Sequence, residues 1–393
     1  MKKALAILMI LALVGSAAFA EITFGAWGRG LFVPMYDSGV EGTDPQTANV
    51  VSWGGAPRIG FTISGVSDNV GFQADMNVDN GDGKGYVTLG DNQYIWVKPM
   101  SMVKISLGNF YDDTLRNNEA FGAFNWYRQT SIDIGESIAF SRLNEKRGAQ
   151  QFAVAVTPND ATYLALSFVD VGKGNGGMKA QDVLFKNIQI AAGYTIAGTG
   201  QIKAQYLSNA KDDPESIDPK DMVADNAIEV AFKLTMVENL VAEAGFAMYL
   251  NDDVQSWTIG DVTGDGTVDD ADALAVEGLK KFAITANYKM DAITLHMYLI
   301  DKMAKITAAD ETYNMFDLGV GAEYAMDGGI TVEGDVRYNN LFGKDASDVY
   351  DATTTFFAGV NKGFSNGKIG AGFEYKNSTD ASYAIPVKVE YWF

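Results

Sequence analysis

A side-chain period of two in the last ten residues, AIPVKVEYWF from Ala384 to Phe393, constrains this chain more than any other feature. Ile385, Val387, Val389, Tyr391 and Phe393 alternate with Pro386, Lys388, Glu390 and Trp392, so a strand puts all five apolar residues on one face. Pro386 donates no ladder hydrogen bond, and its place near the strand start makes that loss small. The alternation recurs along the chain. Val70, Phe72, Ala74, Met76 and Val78 stand against Gly71, Gln73, Asp75 and Asn77. Further runs are Ile59-Phe61-Ile63, Ile188-Ile190-Ala192-Tyr194, Ile228-Val230-Phe232-Leu234, Phe282-Ile284-Ala286-Tyr288, Ile293-Leu295-Met297-Leu299, Phe316-Leu318-Val320-Ala322-Tyr324 and Ile330-Val332-Gly334-Val336-Tyr338. Each segment is about the length a tilted strand needs to cross hydrocarbon, roughly 9 to 11 residues. One face suits lipid and the other suits water.

A mean hydropathy of −0.04 conceals such a design, because lipid-facing residues alternate with polar interior ones. Forty-two Gly, twelve per cent aromatics and only eight Pro fit strands joined by Gly/Asn/Asp turns better than helices. A soluble β-sandwich would have to stack many sheets to absorb these strands, and no motif repeats at a solenoid period.

Met1 to Ala20 reads as a secretory signal, with Lys2 and Lys3 before the apolar run Ala4 to Val14 and a cleavage site at Ala18-Phe19-Ala20. That run is too short to span a bilayer as a helix. The mature chain is expected to begin at Glu21, which argues against a lipoprotein. The formal net charge of −20 becomes −22 once Lys2 and Lys3 are removed, which argues against nucleic acid as a partner. With no Cys there is no disulfide framework, no thiol catalysis and little zinc chemistry.

Connections alternate in length. Short turns fall at Ser67-Asn69, Pro99-Met102, Thr157-Ala161, Ala197-Gly200, Val237-Asn239, Met290-Ala292, Met326-Gly329 and Phe364-Lys368. Longer polar stretches fall at 35–56, 79–86, 111–148, 172–182, 210–225, 251–280, 302–313, 340–351 and 377–382. Eight turns and nine loops make eighteen strands, with both chain ends on the short-turn side. SIDIGESIAFSR, within 131–150, reads either as one more strand or as part of a long loop, which leaves sixteen or twenty as alternatives.

An apolar closing strand flanked by aromatics and ending on Phe393 resembles the last strand of Gram-negative outer-membrane barrels. With the signal and the loop plan, the whole mature chain, 21–393, resembles the Gram-negative porins. The resemblance implies an all-β transmembrane antiparallel barrel in the outer membrane, with an infolded third loop and, as is usual for such porins, a homotrimer. The longest loop, 111–150, is the third and opens with YDDTLRNNEAFGAFNWYRQ. It mixes Asp112, Asp113, Arg116 and Glu119 with Phe121, Phe124, Trp126 and Tyr127. Porins set a basic wall opposite such a loop, and the polar faces here offer Arg29 and Arg58 on the first two strands and Arg337 on the fifteenth. Those acids fit an exposed solvated loop equally well.

DVTGDGTVDDAD, Asp261 to Asp272, lies in an expected extracellular insertion at 251–281. An EF-type calcium loop needs oxygen ligands at positions 1, 3, 5, 7, 9 and 12 with Gly at 6. Asp261, Thr263, Asp265, the Thr267 carbonyl, Asp269 and Asp272 supply them, with Gly266 in the sharp turn. ADALAVEGLKK, 271–281, then reads as a short helix. The run resembles one dockerin repeat, although Thr263 replaces the usual Asp or Asn and a second repeat is missing. It makes Ca²⁺ the one expected cofactor.

The single histidine, His296, falls on a polar face, and no G-x-S-x-G accompanies it, so catalysis finds no support. The reading is therefore a passive diffusion porin for small hydrophilic solutes and ions, modestly cation-selective. The rivals are a maltoporin-like saccharide channel, since eighteen strands resemble that group, and a structural or adhesive surface barrel.

Overall fold

The computed structural model describes residues 21–39, 44–50, 58–79, 86–110, 151–169, 188–210, 224–250, 255–258, 273–306, 310–343, 350–378 and 381–393. The expected signal, the loop acids Asp112, Asp113 and Glu119 with Arg116, and the calcium motif 261–272 lie outside these residues. The backbone of Arg58 is described but its side chain is not.

The strands are β1 (Glu21–Asp37), β2 (Gln46–Val50), β3 (Arg58–Val66), β4 (Val70–Asp79), β5 (Tyr86–Met100), β6 (Val103–Asn109), β7 (Gln151–Asn159), β8 (Thr162–Val169), β9 (Ile188–Ile196) and β10 (Gly200–Ala210). They continue as β11 (Ala224–Leu234), β12 (Leu240–Tyr249), β13 (Gln255–Thr258), β14 (Ala273–Met290), β15 (Ile293–Ile306), β16 (Glu311–Met326), β17 (Ile330–Phe342), β18 (Thr353–Phe364), β19 (Gly367–Asn377) and β20 (Ser382–Trp392). All pair antiparallel. β2 only extends the β1 edge beyond β3, and β13 pairs only with the start of β14. The other eighteen form one closed ring, because β20 pairs with β1 from Trp27↔Trp392 to Asp37↔Tyr383. β6 pairs directly with β7, so 131–150 adds no stave between them and the count is eighteen.

The short turns fall where the alternation breaks. Asn239 and Asp291 adopt positive φ at two of them, as Asn and Asp tolerate best, and Gly328 and Gly329 do so at a third. On the outside, Phe61, Phe72, Ile95, Phe152, Leu164, Ile190, Val230, Phe282, Leu295, Val320, Val336, Phe356 and Val389 form an exposed apolar belt. The expected lipid face of β20 is part of it, since Val389 and Tyr391 are exposed while Lys388 and Glu390 are buried inside.

Beyond the belt the polarity inverts. β14 to β17 run 18, 14, 16 and 13 residues, more than a crossing requires. At their loop ends the inner face packs Val276, Ala304, Ile306, Tyr313, Met315 and Leu341 into a cluster, with Leu279 and Tyr350 against it. Tyr350 donates its hydroxyl to Asn339, whose amide donates to Asp317. Burial, with the Asp317 charge added, pushes Tyr350 up to about 12, so it remains a donor.

Three expectations are corrected here. Residues 273–281 form strand rather than helix, held by Ser256↔Ala275 and Trp257↔Leu274 on one side and Val276↔Ile306 on the other. Gly278, at φ 63, makes a bulge there that no helix would accommodate. The connection expected at 302–313 is shorter, because β15 continues to Ile306 and β16 begins at Glu311. Pro386 is well inside β20 rather than near its start. Its missing N–H is absorbed by two defects: the β19–β20 ladder skips from Ala371↔Val387 to Glu374↔Ala384, and β1 bulges opposite it between Phe32 and Met35, where Pro34 lies. Both prolines thus share one gap in the seam.

Inward-facing glycines make room for rings. A Cβ on Gly319 would stand 2.1 Å from the Tyr298 ring, and one on Gly60 would stand 2.2 Å from Trp27. Tyr298 is 0% exposed, lying across its register partner Gly319 toward β17. Gly319→Val is expected to displace that ring and destabilise the barrel by about 1–3 kcal/mol. A thermal unfolding midpoint several degrees below wild type, followed by circular dichroism in detergent, is the check.

Candidate pore lining

Alternation turns every second side chain of each stave inward, and register decides which of them meet. Along β17 and β20 the charged residues lie two apart, on one face. Arg337 Nε stands 3.3 Å from Asp335, and Lys388 Nζ stands 2.8 Å from Glu390. Lys368, the register partner of Glu390 on β19, reaches the same carboxylate at 3.0 Å. His296 lies between Asn287, its register partner on β14, and Glu323, whose carboxylate is 3.4 Å from Nε2. On the opposite staves Gln205 donates to Glu229 at 2.5 Å. Asp75 accepts from Thr62, Gln73 and Asn92. The inner wall is thus a series of paired charges, dense from β14 round to β1.

Register brings two of the three expected wall arginines together and separates the third. Arg29 is flanked by Arg58 on β3 and Glu390 on β20, with its guanidinium carbon 5.1 Å from the Trp27 ring centroid. Arg337 stands four strands from β1, spaced by about 4.8 Å each, and is 1% exposed beside Asp335. Sequence reasoning missed the Lys368–Glu390–Lys388 triad. Its signal was present in VKVEYW, where two charges share the polar face of the closing strand.

No family model matches the chain, and no curated protein matches it in sequence. Solved structures do match it in fold. They include in-vitro folded OmpT of Vibrio cholerae in a trimer form, at 14% identity and TM-score 0.51, covering 95% of this chain and 100% of that one. An anion-selective porin from Comamonas acidovorans is 12% identical with TM-score 0.51, over 95% and 100% of the two chains. The outer-membrane channel DcaP of Acinetobacter baumannii is 12% identical with TM-score 0.52, over 96% and 99%. The chain therefore has the porin fold, an all-β closed antiparallel barrel of eighteen strands. A closed ladder with an apolar belt outside and paired charges inside belongs in a bacterial outer membrane.

Glu390→Gln leaves Lys388, 3% exposed, beside Lys368 without the shared carboxylate. Breaking a buried pair of this kind costs about 3–5 kcal/mol. The variant is expected to unfold at lower temperature than wild type in detergent, and adding Lys388→Met is expected to recover part of the difference.

Proposed function

We propose that this barrel is a porin through which small hydrophilic solutes and ions diffuse passively. The observation that carries the reading is the height at which the longest loop leaves the wall. β6 has seven residues, and its ladder with β7 ends at Gly108↔Gln151. At roughly 3.3 Å per residue and a tilt of about 40°, seven residues climb only about 18 Å of an apolar band about 25 Å tall. The neck is tied by Gln151, which donates to the Phe110 carbonyl, with both residues buried and the Phe110 ring tilted against Tyr94 at 4.9 Å between centroids. A segment as polar as 111–150 leaving at that height cannot turn outward, because each peptide group left unpaired in hydrocarbon costs several kcal/mol. Folding into the lumen narrows the pore and requires no binding step.

Asp112, Asp113 and Glu119 then stand in the constriction, with Arg116 among them and Arg29 and Arg58 on the wall. Charges far from the constriction are screened within about 8 Å at physiological salt. Those inside it act through low-dielectric walls and set a modest cation preference. Replacing Asp112, Asp113 and Glu119 with Asn and Gln is expected to move the zero-current potential in a salt gradient toward anions, most at low salt. An unchanged potential would place these acids outside the constriction.

Calcium binding by Asp261 to Asp272 belongs to the same proposal. Thr258 and Ala273 are register partners, so the ladder of β13 with β14 brings together the two ends of the segment carrying the motif. Its four carboxylates repel one another without a cation, and extracellular sites of this type bind at about 10⁻⁴ to 10⁻³ M. Asp265→Ala is expected to abolish calcium-dependent protection of 255–280 from protease. Equal cleavage of the wild-type loop in calcium and in chelator would refute the site. Assembly as a homotrimer in outer-membrane lipid completes the proposal, supported by the trimer form of the Vibrio cholerae structure.

A further inference from the structure

The outer wall carries a feature that the pore does not use. Alternation turns Ala322 of β16, Gly334 of β17 and Ala358 of β18 toward the lipid belt, and register sets them side by side, Ala322↔Gly334 and Gly334↔Ala358. Val320, Val336 and Phe356 rise above them on the loop side, and Phe373, the register partner of Ala358, rises at one end. The result is a depression of about 560 Å³ in the belt. A Cβ on Gly334 would meet only the Phe357 carbonyl oxygen, at 3.3 Å, so no side chain lies over that floor. The rim rings are braced from outside: Phe356 lies 6.4 Å from Tyr375 and Phe373 lies 6.3 Å from Tyr383, between centroids. The depression is therefore preformed.

A hollow that hydrocarbon fills poorly forfeits dispersion contacts along its lining, which favours an occupant seated in it. One charge stands on the same outer face. Lys362 lies four residues along β18 from Ala358, toward the short turns, with Ile330 and Ile369 as its register partners. It is exposed and donates to the Gly328 carbonyl. Among the described residues it makes no ion pair, Asp327 of the facing turn included. At roughly 3.3 Å per residue and a tilt of about 40°, those four residues set Lys362 about 10 Å nearer the short-turn edge than the depression. Half of an apolar band about 25 Å tall is about 12 Å, so a lipid whose phosphate meets Lys362 carries its chain at the depth of the depression.

We propose that the depression and Lys362 form a site for one glycerophospholipid of the leaflet on the short-turn side, with an acyl chain in the depression and the phosphate on the ammonium. A lysine stem lies along apolar surface while its head stays in the interface, where it donates charge-assisted hydrogen bonds to phosphate. The occupant is a lipid rather than a second copy of the chain, because the one cation beside the depression stands at the height of a headgroup. The site depends on the closed wall and its apolar belt, and not on the pore reading.

The test is native mass spectrometry of the full barrel, folded in detergent and titrated with dioleoylphosphatidylglycerol. Dioleoylglycerol, which has the same chains and no phosphate, is the control. Wild type is expected to retain one phosphatidylglycerol per chain and about tenfold less diacylglycerol, the preference that one charge-assisted hydrogen bond implies. Lys362→Gln is expected to lose that preference and Lys362→Arg to keep it. Gly334→Leu, which fills the depression, is expected to reduce retention of both lipids. Should that variant fail to fold, Ala358→Leu fills the same space from an exposed position. Equal retention by wild type, Lys362→Gln and the Leu variant would overturn the site. Loss of copies per assembly in the Leu variant, with lipid retention unchanged, would assign the depression to a second copy of the chain and overturn it too. Selective retention by a barrel that conducts no ions would uphold the site and count only against the pore reading.

Discussion

Closure of the backbone ladder is the constraint on which everything else depends. In hydrocarbon no water satisfies an exposed peptide group, so an open sheet edge within the belt would cost several kcal/mol per unpaired group. β1 and β20 remove that edge. Their pairing runs the length of the seam, and Ala26 and Phe393 exchange backbone hydrogen bonds at its end, at 2.7 and 3.2 Å. The seam also holds the two prolines that could have broken it, and concentrating both in one bulge confines the loss to one place. The closing strand brings Lys388 and Glu390 to the inner wall, so the element that completes the fold also supplies charge to the pore.

A closed barrel of this size encloses more space than wall side chains fill, and the charged residues reflect this. On the inner face, among the described residues, charged groups occur in local sets of opposite sign, such as Arg337 with Asp335 and Lys368 and Lys388 with Glu390. Pairing at two-residue spacing and at register positions lets a strand carry charge inward without leaving a single desolvated ion. The dense sector from β14 to β1 and the alanine-lined sector at β7 to β9 therefore differ in character. One is a wall of closely spaced ion pairs, and the other is a smooth surface beside the short ladder from which the longest loop departs.

Aromatic rings over glycines connect packing to function in the same wall. Trp27 over Gly60, Trp96 over Gly71 and Tyr298 over Gly319 lie flat along the staves, covering backbone that lacks a side chain. Two of these rings also hold cations, Arg29 on Trp27 and both Lys98 and Lys104 on Trp96. A ring flattened against the wall offers a face to a neighbouring ammonium or guanidinium while leaving the lumen open.

Much of this molecule was decided locally and could be read along the chain. The period-two pattern in Val70 to Val78 or in Ile385 to Phe393 is a property of adjacent residues, so the lipid face, the short turns and most strand positions followed from it, while the count of eighteen, open to sixteen or twenty over 131–150, was settled by the pairing of β6 with β7. The stretch 273–281 was misread because its local composition favours a helix, while pairing with 255–258 and with Met303 to Ile306 outweighs that preference. Nor could local pattern show that the inner face of β14 to β17 becomes apolar beyond the belt, since the change depends on where the membrane ends. The meeting of Lys368 with Glu390, of Arg29 with Arg58, and of two lysines on Trp96 depended on register between separate strands. Register is set by turn geometry, bulges and closure of the whole ring, so the tertiary structure alone determined which of the many inward side chains are neighbours.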